Sequence, residues 1–336
     1  MKQKTYSNPI TMKNTAALHI LLLGTMSSGK STLVNALLGS DMMPTANAAT
    51  TTKIFRLHSR ENIQRGKLWE IASYRELSRE DINKYNKSPG DETITLLCNF
   101  PYMCHHKADI FLYDTPGPNT AIYSEHKNTL MDCIQKLNFS HIICIINAKE
   151  TETDGEEQCL DNFVAVAQSK NKDARTIFVL NKVDELDEAR DGPLQEFVAS
   201  TAEWLQKKGF SSPVVVPVMA KAAFLLRANS NQSKLSKDEY RAIRNFELLL
   251  NDRKEELMAA SNICLEWREE IVRWSGYSRT PVFRHYRFSE LAEATVGRLL
   301  NMLQGRHSRL VRETGIRTLE LLLEREIYIN LQTSET

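Results

Sequence analysis

The nine residues GTMSSGKST, Gly24 to Thr32, follow directly on the apolar run LHILLL, and no other stretch restricts the fold of this chain as much. Apolar residues without polar alternation read as a strand buried on both faces. Two glycines and a lysine at its end read as a turn whose backbone N–H groups face an anion. A helical pattern starting near Lys30 puts the positive end of its dipole at the same place. Gly24, Gly29, Lys30 and Ser31 match GxxxxGK[ST], the phosphate-binding loop between a strand and a helix. The pattern predicts that the loop from Gly24 to Thr32, including Met26, Ser27 and Ser28, wraps a polyphosphate. Lys30 is then expected to reach the β and γ phosphates and Ser31 to ligate Mg2+.

Six more apolar runs follow, at residues 52–57, 92–100, 108–114, 141–148, 175–182 and 213–220. Helical patterns lie at 29–39, 124–138, 155–169 and 192–208. Strands joined by crossovers of that length predict an α/β fold, a doubly wound P-loop NTPase with a mostly parallel sheet and helices on both faces. Beyond residue 222 only three-and-four spacing persists, which predicts a helical insertion in the C-terminal third. The expected organisation is a flexible tail over 1–15 and one domain over 16–330. That domain divides into a core over 16–222, an insertion over 223–312 and a closing helix over 313–330. The polar stretch at 227–239 reads as an exposed loop.

Two other strand ends carry chemistry. FLYDTPG, residues 111–117, places Asp114 to hold Mg2+ through water and Gly117 to offer its N–H to a γ-phosphate. FVLNKVD, residues 178–184, places Asn181, Lys182 and Asp184 where a guanine base can be read. A carboxylate at Asp184 accepts from both the N1–H and the exocyclic amine, and adenine presents no such pair of donors. Ala220 and Lys221 in PVMAKAAF stand where they could pack around the base, although AKAA is equally a plain helix start.

Composition narrows the partners. With 43 basic and 42 acidic residues, the whole-chain field makes no case for nucleic acid or an anionic membrane. The basic stretches RHYRF and GRHSRLVR read first as solvated helix faces. Six scattered cysteines and the absence of a signal-like apolar region at the start predict a reducing, cytoplasmic setting. No apolar run reaches the roughly 18 residues that a membrane-spanning helix needs.

The segments LLGTMSSGKSTLVNALLGSDMMPTANAATTTKIFRL, LYDTPGPN and LNKVD together resemble the dynamin superfamily of large GTPases, in its bacterial dynamin-like branch, over about residues 15–222. The resemblance implies hydrolysis of GTP to GDP and phosphate, with Lys30, Thr51, Ser27 and Gly117 as the catalytic set. Thr51, with Thr50 as the neighbour able to take its place, is the implied switch residue that closes over Mg2+ and the attacking water. Ser27 is implied to help hold a monovalent cation, K+ or Na+. The closing ETGIRTLELLLEREIYIN is also similar to the end of such domains, which is what marks 223–312 as an insertion. Family members pair through their nucleotide faces and continue into a stalk that reaches a membrane or a protein. This chain stops at LQTSET, where that stalk is expected, so the implied homodimer and peripheral membrane or protein partner are expectations of the resemblance alone. One departure bears on rate. Met26 stands where dynamins carry a water-positioning glutamine, which keeps open an alternative: a nucleotide-dependent interaction module with little or no hydrolysis.

Overall fold

A computed structural model of the chain describes residues 17–25, 27–45, 53–60, 62–88, 93–103, 108–116, 136–151, 157, 160–161, 163–164, 175–231, 235–252, 257–264, 266–267, 310–311 and 313–334. Its strands are β1 (Ala17–Gly24), β2 (Ile54–Ser59), β3 (Leu68–Glu70), β4 (Glu76–Leu77), β5 (Thr93–Cys98), β6 (Asp109–Asp114), β7 (His141–Asn147), β8 (Arg175–Asn181) and β9 (Val214–Val218). They form one sheet in the order β4-β3-β5-β2-β6-β1-β7-β8-β9. β1 lies between β6 and β7, parallel to both, and β7, β8 and β9 continue in parallel. β2 pairs antiparallel with β6 and parallel with β5. The mostly parallel doubly wound sheet read from the sequence is therefore the one observed.

All seven residues of β7 are buried, and so are six of the eight in β1. Continuous burial of this kind requires cover on both faces of a strand, which explains why these runs are apolar without alternation. α1 (Lys30–Leu38) follows β1 and buries Leu33, Val34, Ala36, Leu37 and Leu38. It ends at Gly39, whose φ of 69° is left-handed and whose N–H donates to the Asn35 carbonyl. The helix Ala220–Ser230 packs beside α1.

Three elements between β2 and β5 were absent from the sequence reading. β3 and β4 form a short antiparallel hairpin, and α2 (Arg79–Lys87) follows it. Ser78 and Asp81 close a reciprocal capping box at the start of α2. After β8 come a 3₁₀ turn (Val183–Glu185), α3 (Glu188–Asp191) and α4 (Leu194–Lys207). β9 leads into α5 (Ala220–Ser230), α6 (Lys237–Asp252) and α7 (Leu257–Ala260), and α8 (Ile316–Ser334) closes the described chain. The start of the stretch read as an exposed loop belongs to α5, where Arg227 is 2% exposed. Arg227 forms an ion pair with Glu320 of α8 at 2.7 Å and donates to the Ala36 carbonyl of α1, also at 2.7 Å. The polar residue that broke the apolar pattern thus ties three helices together.

Both margins of the sheet are closed. β4 has two residues, and on the other side the Asn262 side chain donates to the Pro213 carbonyl at 2.7 Å and accepts from Val215 N–H at 2.6 Å. The helix expected at 124–138 lies almost wholly outside the described residues, as do the tail over 1–15, most of 155–169 and the insertion beyond residue 267. No helix among the described residues is long and apolar enough to cross a membrane.

Candidate nucleotide site

The loop after β1 is held by its own backbone. Ser28, fully buried, donates from its hydroxyl to the Thr25 carbonyl at 2.9 Å. Ser27 adopts a left-handed φ of 63° and is exposed. Gly24 and Gly29 are required by space as well as by φ. A Cβ on Gly24 would stand 2.6 Å from the Ile145 carbonyl oxygen, and one on Gly29 would stand 2.3 Å from the Asn181 side-chain nitrogen. Lys30 is buried, and its ammonium donates to the carbonyls of Gly24 and Thr25 at 2.7 Å each. The charge is therefore fixed against the loop that it closes.

Ser31, in the first turn of α1, donates to Asp114 Oδ2 at 3.3 Å. Asp114 ends β6, is completely buried, and leaves its Oδ1 without a hydrogen-bond partner among the described residues. Burial pushes its carboxyl up to about 6, against the opposing pull of the Lys30 charge and the Ser31 hydrogen bond. A buried carboxylate with one oxygen unpartnered beside a hydroxyl is an oxygen donor set suited to a hard cation such as Mg2+. Next to it, the Thr115 hydroxyl donates to the Leu22 carbonyl at 2.7 Å and fixes the end of β6 against β1.

Asn181 ends β8 and connects two loops. Its Nδ2 donates to the Ser28 carbonyl at 2.8 Å, and its Oδ1 accepts from the Ala220 N–H at 3.0 Å. One amide hydrogen and one lone pair are thus engaged by protein. Lys182 follows with a left-handed φ of 64°, and Asp184 lies half-buried in the 3₁₀ turn. Ala220 is buried at the start of α5, and Lys221 is exposed. Thr32 lies half-buried in α1. The structure therefore gathers Gly24, Ser28, Gly29, Lys30, Ser31, Asp114, Asn181 and Ala220 at the carboxyl ends of β1, β6, β8 and β9. An α/β sheet places ligands there, where the connections leave in opposite directions. Met26, Thr50, Thr51 and Gly117 lie outside the described residues.

Residues 20–183 match the model of the dynamin family. This stretch is a GTPase domain of the dynamin superfamily. An uncharacterised protein from the xynA 3′ region of Caldicellulosiruptor sp. (strain Rt8B.4) is 23% identical over 226 residues, 66% of this chain and 53% of that protein. A probable transmembrane GTPase of Arabidopsis thaliana, FZO-like and chloroplastic, is 25% identical over 209 residues, 61% of this chain and 19% of that protein. The chain thus spans about half of the first relative and about a fifth of the second. Among solved structures, an oligomerised bacterial dynamin pair, described as sensing and tethering membranes, aligns with a TM-score of 0.45 at 16% identity. That alignment covers 87% of this chain and 46% of the other.

Asn35, buried in α1, lies outside the motifs read from the sequence. It accepts at Oδ1 from the N–H groups of Met42 and Met43, at 3.1 and 2.7 Å, and donates to the Met43 carbonyl at 3.0 Å. It anchors the turn that follows α1. The signal was present as one amide within the apolar run LVNALL, where a buried polar side chain needs partners.

Proposed function

We propose that this chain binds a guanine nucleotide with Mg2+ and hydrolyses GTP to GDP and phosphate. The observation that carries the reading is the pairing of Ser31 with Asp114, whose second oxygen is buried and unpartnered, beside the Lys30 ammonium. Ser31 and Asp114 would hold the metal, which supplies positive charge to the phosphates when bound. Lys30 offers its charge to the β and γ phosphates, while the N–H groups around Gly29 and the start of α1 face them. Asp184 accepts from the guanine edge, and Asn181 fixes the loop that carries it relative to the phosphate loop. Thr51 and Gly117 are proposed to close on the γ-phosphate, and Ser27 to help hold K+ or Na+.

Pairing of two copies through their nucleotide faces is proposed on the dynamin resemblance, as is a peripheral membrane or protein partner. Phosphate release measured against protein concentration tests hydrolysis and pairing together. Specific activity is expected to rise with concentration; a flat profile removes the pairing, and no release removes the hydrolysis. Met26 favours a second reading, a nucleotide-dependent interaction module that hardly turns over. Single-turnover incubation with Mg2+ and K+ separates the two, since that module would leave GTP intact.

A further inference from the structure

Thr314 and Gly315, just ahead of α8, press on the end of β9 that leads into Ala220. The Met219 N–H donates to the Thr314 carbonyl at 2.9 Å. Gly315 has a left-handed φ of 76°, and a Cβ there would stand 2.1 Å from the Pro217 carbonyl oxygen, where real Cβ atoms stay beyond 3.0 Å. Backbone is in contact with backbone on both sides of Val218. The turn has little freedom of its own. Thr314 is fully buried with its hydroxyl on the Val311 carbonyl at 2.6 Å, and the Gly315 carbonyl accepts from Thr318 at 3.1 Å within α8.

The contact continues into the nucleotide site. One residue after Met219, the Ala220 N–H donates to Asn181 Oδ1, and Asn181 Nδ2 donates to the Ser28 carbonyl. Three hydrogen bonds therefore link the head of the last helix, the loop at the base, and the phosphate loop. Arg227, on the helix that starts at Ala220, is paired in turn with Glu320 of α8.

We propose that the Thr314–Gly315 turn is a positioning element for the guanine end of the site, so that nucleotide affinity depends on the head of α8 being seated. The inference rests on the nucleotide reading above and adds to it a residue outside the phosphate- and base-reading motifs. Gly315 touches no ligand; it acts through Pro217 and Met219. A side chain at 315 has to move the Pro217 carbonyl or be moved by it, and a displaced strand end carries Ala220 away from Asn181. By linkage, a nucleotide that needs this arrangement favours the seated turn by the same factor.

The test uses the full 336-residue chain, with GDP and ADP as probes in calorimetry. Gly315→Ala is compared with Gly66→Ala, whose φ of 70° is similar but whose added carbon meets nothing nearer than the Ser40 side chain at 3.7 Å. Both variants carry the cost of a left-handed alanine and lose melting temperature. Only Gly315→Ala is expected to weaken GDP binding, by about tenfold, and to narrow the preference for GDP over ADP. A second measurement needs no variant: GDP is expected to slow amide exchange in the parent over residues 314–319 as well as 217–221. Unchanged GDP affinity in folded Gly315→Ala, or unchanged exchange over 314–319 with GDP bound, overturns the inference alone. A parent that takes up no GDP overturns the nucleotide reading, and the inference with it.

Discussion

Asn181 donates to the carbonyl of Ser28 at 2.8 Å across 153 residues of sequence, and this bond joins the loop after β8, proposed to read the base, to the loop after β1, proposed to hold the phosphates. Gly29 next to Ser28 has no room for a Cβ because the same amide nitrogen occupies that space. The two ends of the nucleotide site are therefore one packed unit.

Asn181→Ala leaves two buried backbone groups without partners, the Ser28 carbonyl and the Ala220 N–H. Each lost bond of this kind costs about 1–3 kcal/mol. GDP affinity is expected to fall by about tenfold or more, together with a lower urea midpoint. Calorimetry and denaturation on the same preparation check it, and a variant with parental GDP affinity removes the bridge from the account.

Asp184→Asn is expected to shift preference from guanine to xanthine nucleotides, because the amide N–H donates to the carbonyl that xanthine carries where guanine has its amine, and the oxygen that accepted from that amine is gone. Competition of XDP and GDP for the variant measures this. A variant that still prefers GDP removes Asp184 from base recognition.

The carboxyl of Asp114 lies at about 6 in the folded chain against 3.8 ordinarily, raised by burial. A folded value above the unfolded one means that the proton stabilises the fold. In metal-free protein this contribution is complete below pH 3.8 and is lost as pH rises through about 6. Asp114→Asn removes the buried charge, so metal-free variant is expected to exceed the parent in stability at pH 8 by about 1–3 kcal/mol and to lose that advantage in acid. Urea melts at pH 8 and pH 4.5 with chelator present check the sign. The same substitution is expected to abolish Mg2+-dependent hydrolysis.

Arg227→Ala leaves Glu320, which is fully buried, with the more distant Arg317 at 3.3 Å as its one remaining cation among the described residues. Breaking one side of a buried pair costs about 3–5 kcal/mol. Arg227→Met with Glu320→Leu is expected to recover most of that loss, since the charge is removed with its partner. Urea denaturation of the two variants tests this, and a double variant as unstable as Arg227→Ala contradicts it.

How much was legible in the sequence follows from burial. β1, β6, β7, β8 and β9 announced themselves because strands covered on both faces can use almost only apolar residues. β3 and β4 have three and two residues, too few to show a period, and α2 is the mostly polar REDINKYNK. Its capping box at Ser78 and Asp81 was the one readable trace. Arg227 misled for a different reason: a charged residue reads as exposed, and only the fold brings Glu320 to it from 93 residues away. The placement of Gly24, Asp114 and Asn181 was readable because each ends an apolar strand. Asn35 left one trace, a lone amide in an apolar run, and Gly315 left none, since its contact is a backbone carbonyl and carries no sequence signature.

The sheet that carries the site also sets how copies of this chain can meet. With two residues at one border and an asparagine side chain already bonded along the other, neither rim offers a row of free amides long enough to recruit a foreign strand. Fibril-like stacking through the described strands is blocked at both rims, which leaves the described loops and helices as the surfaces on which copies can meet.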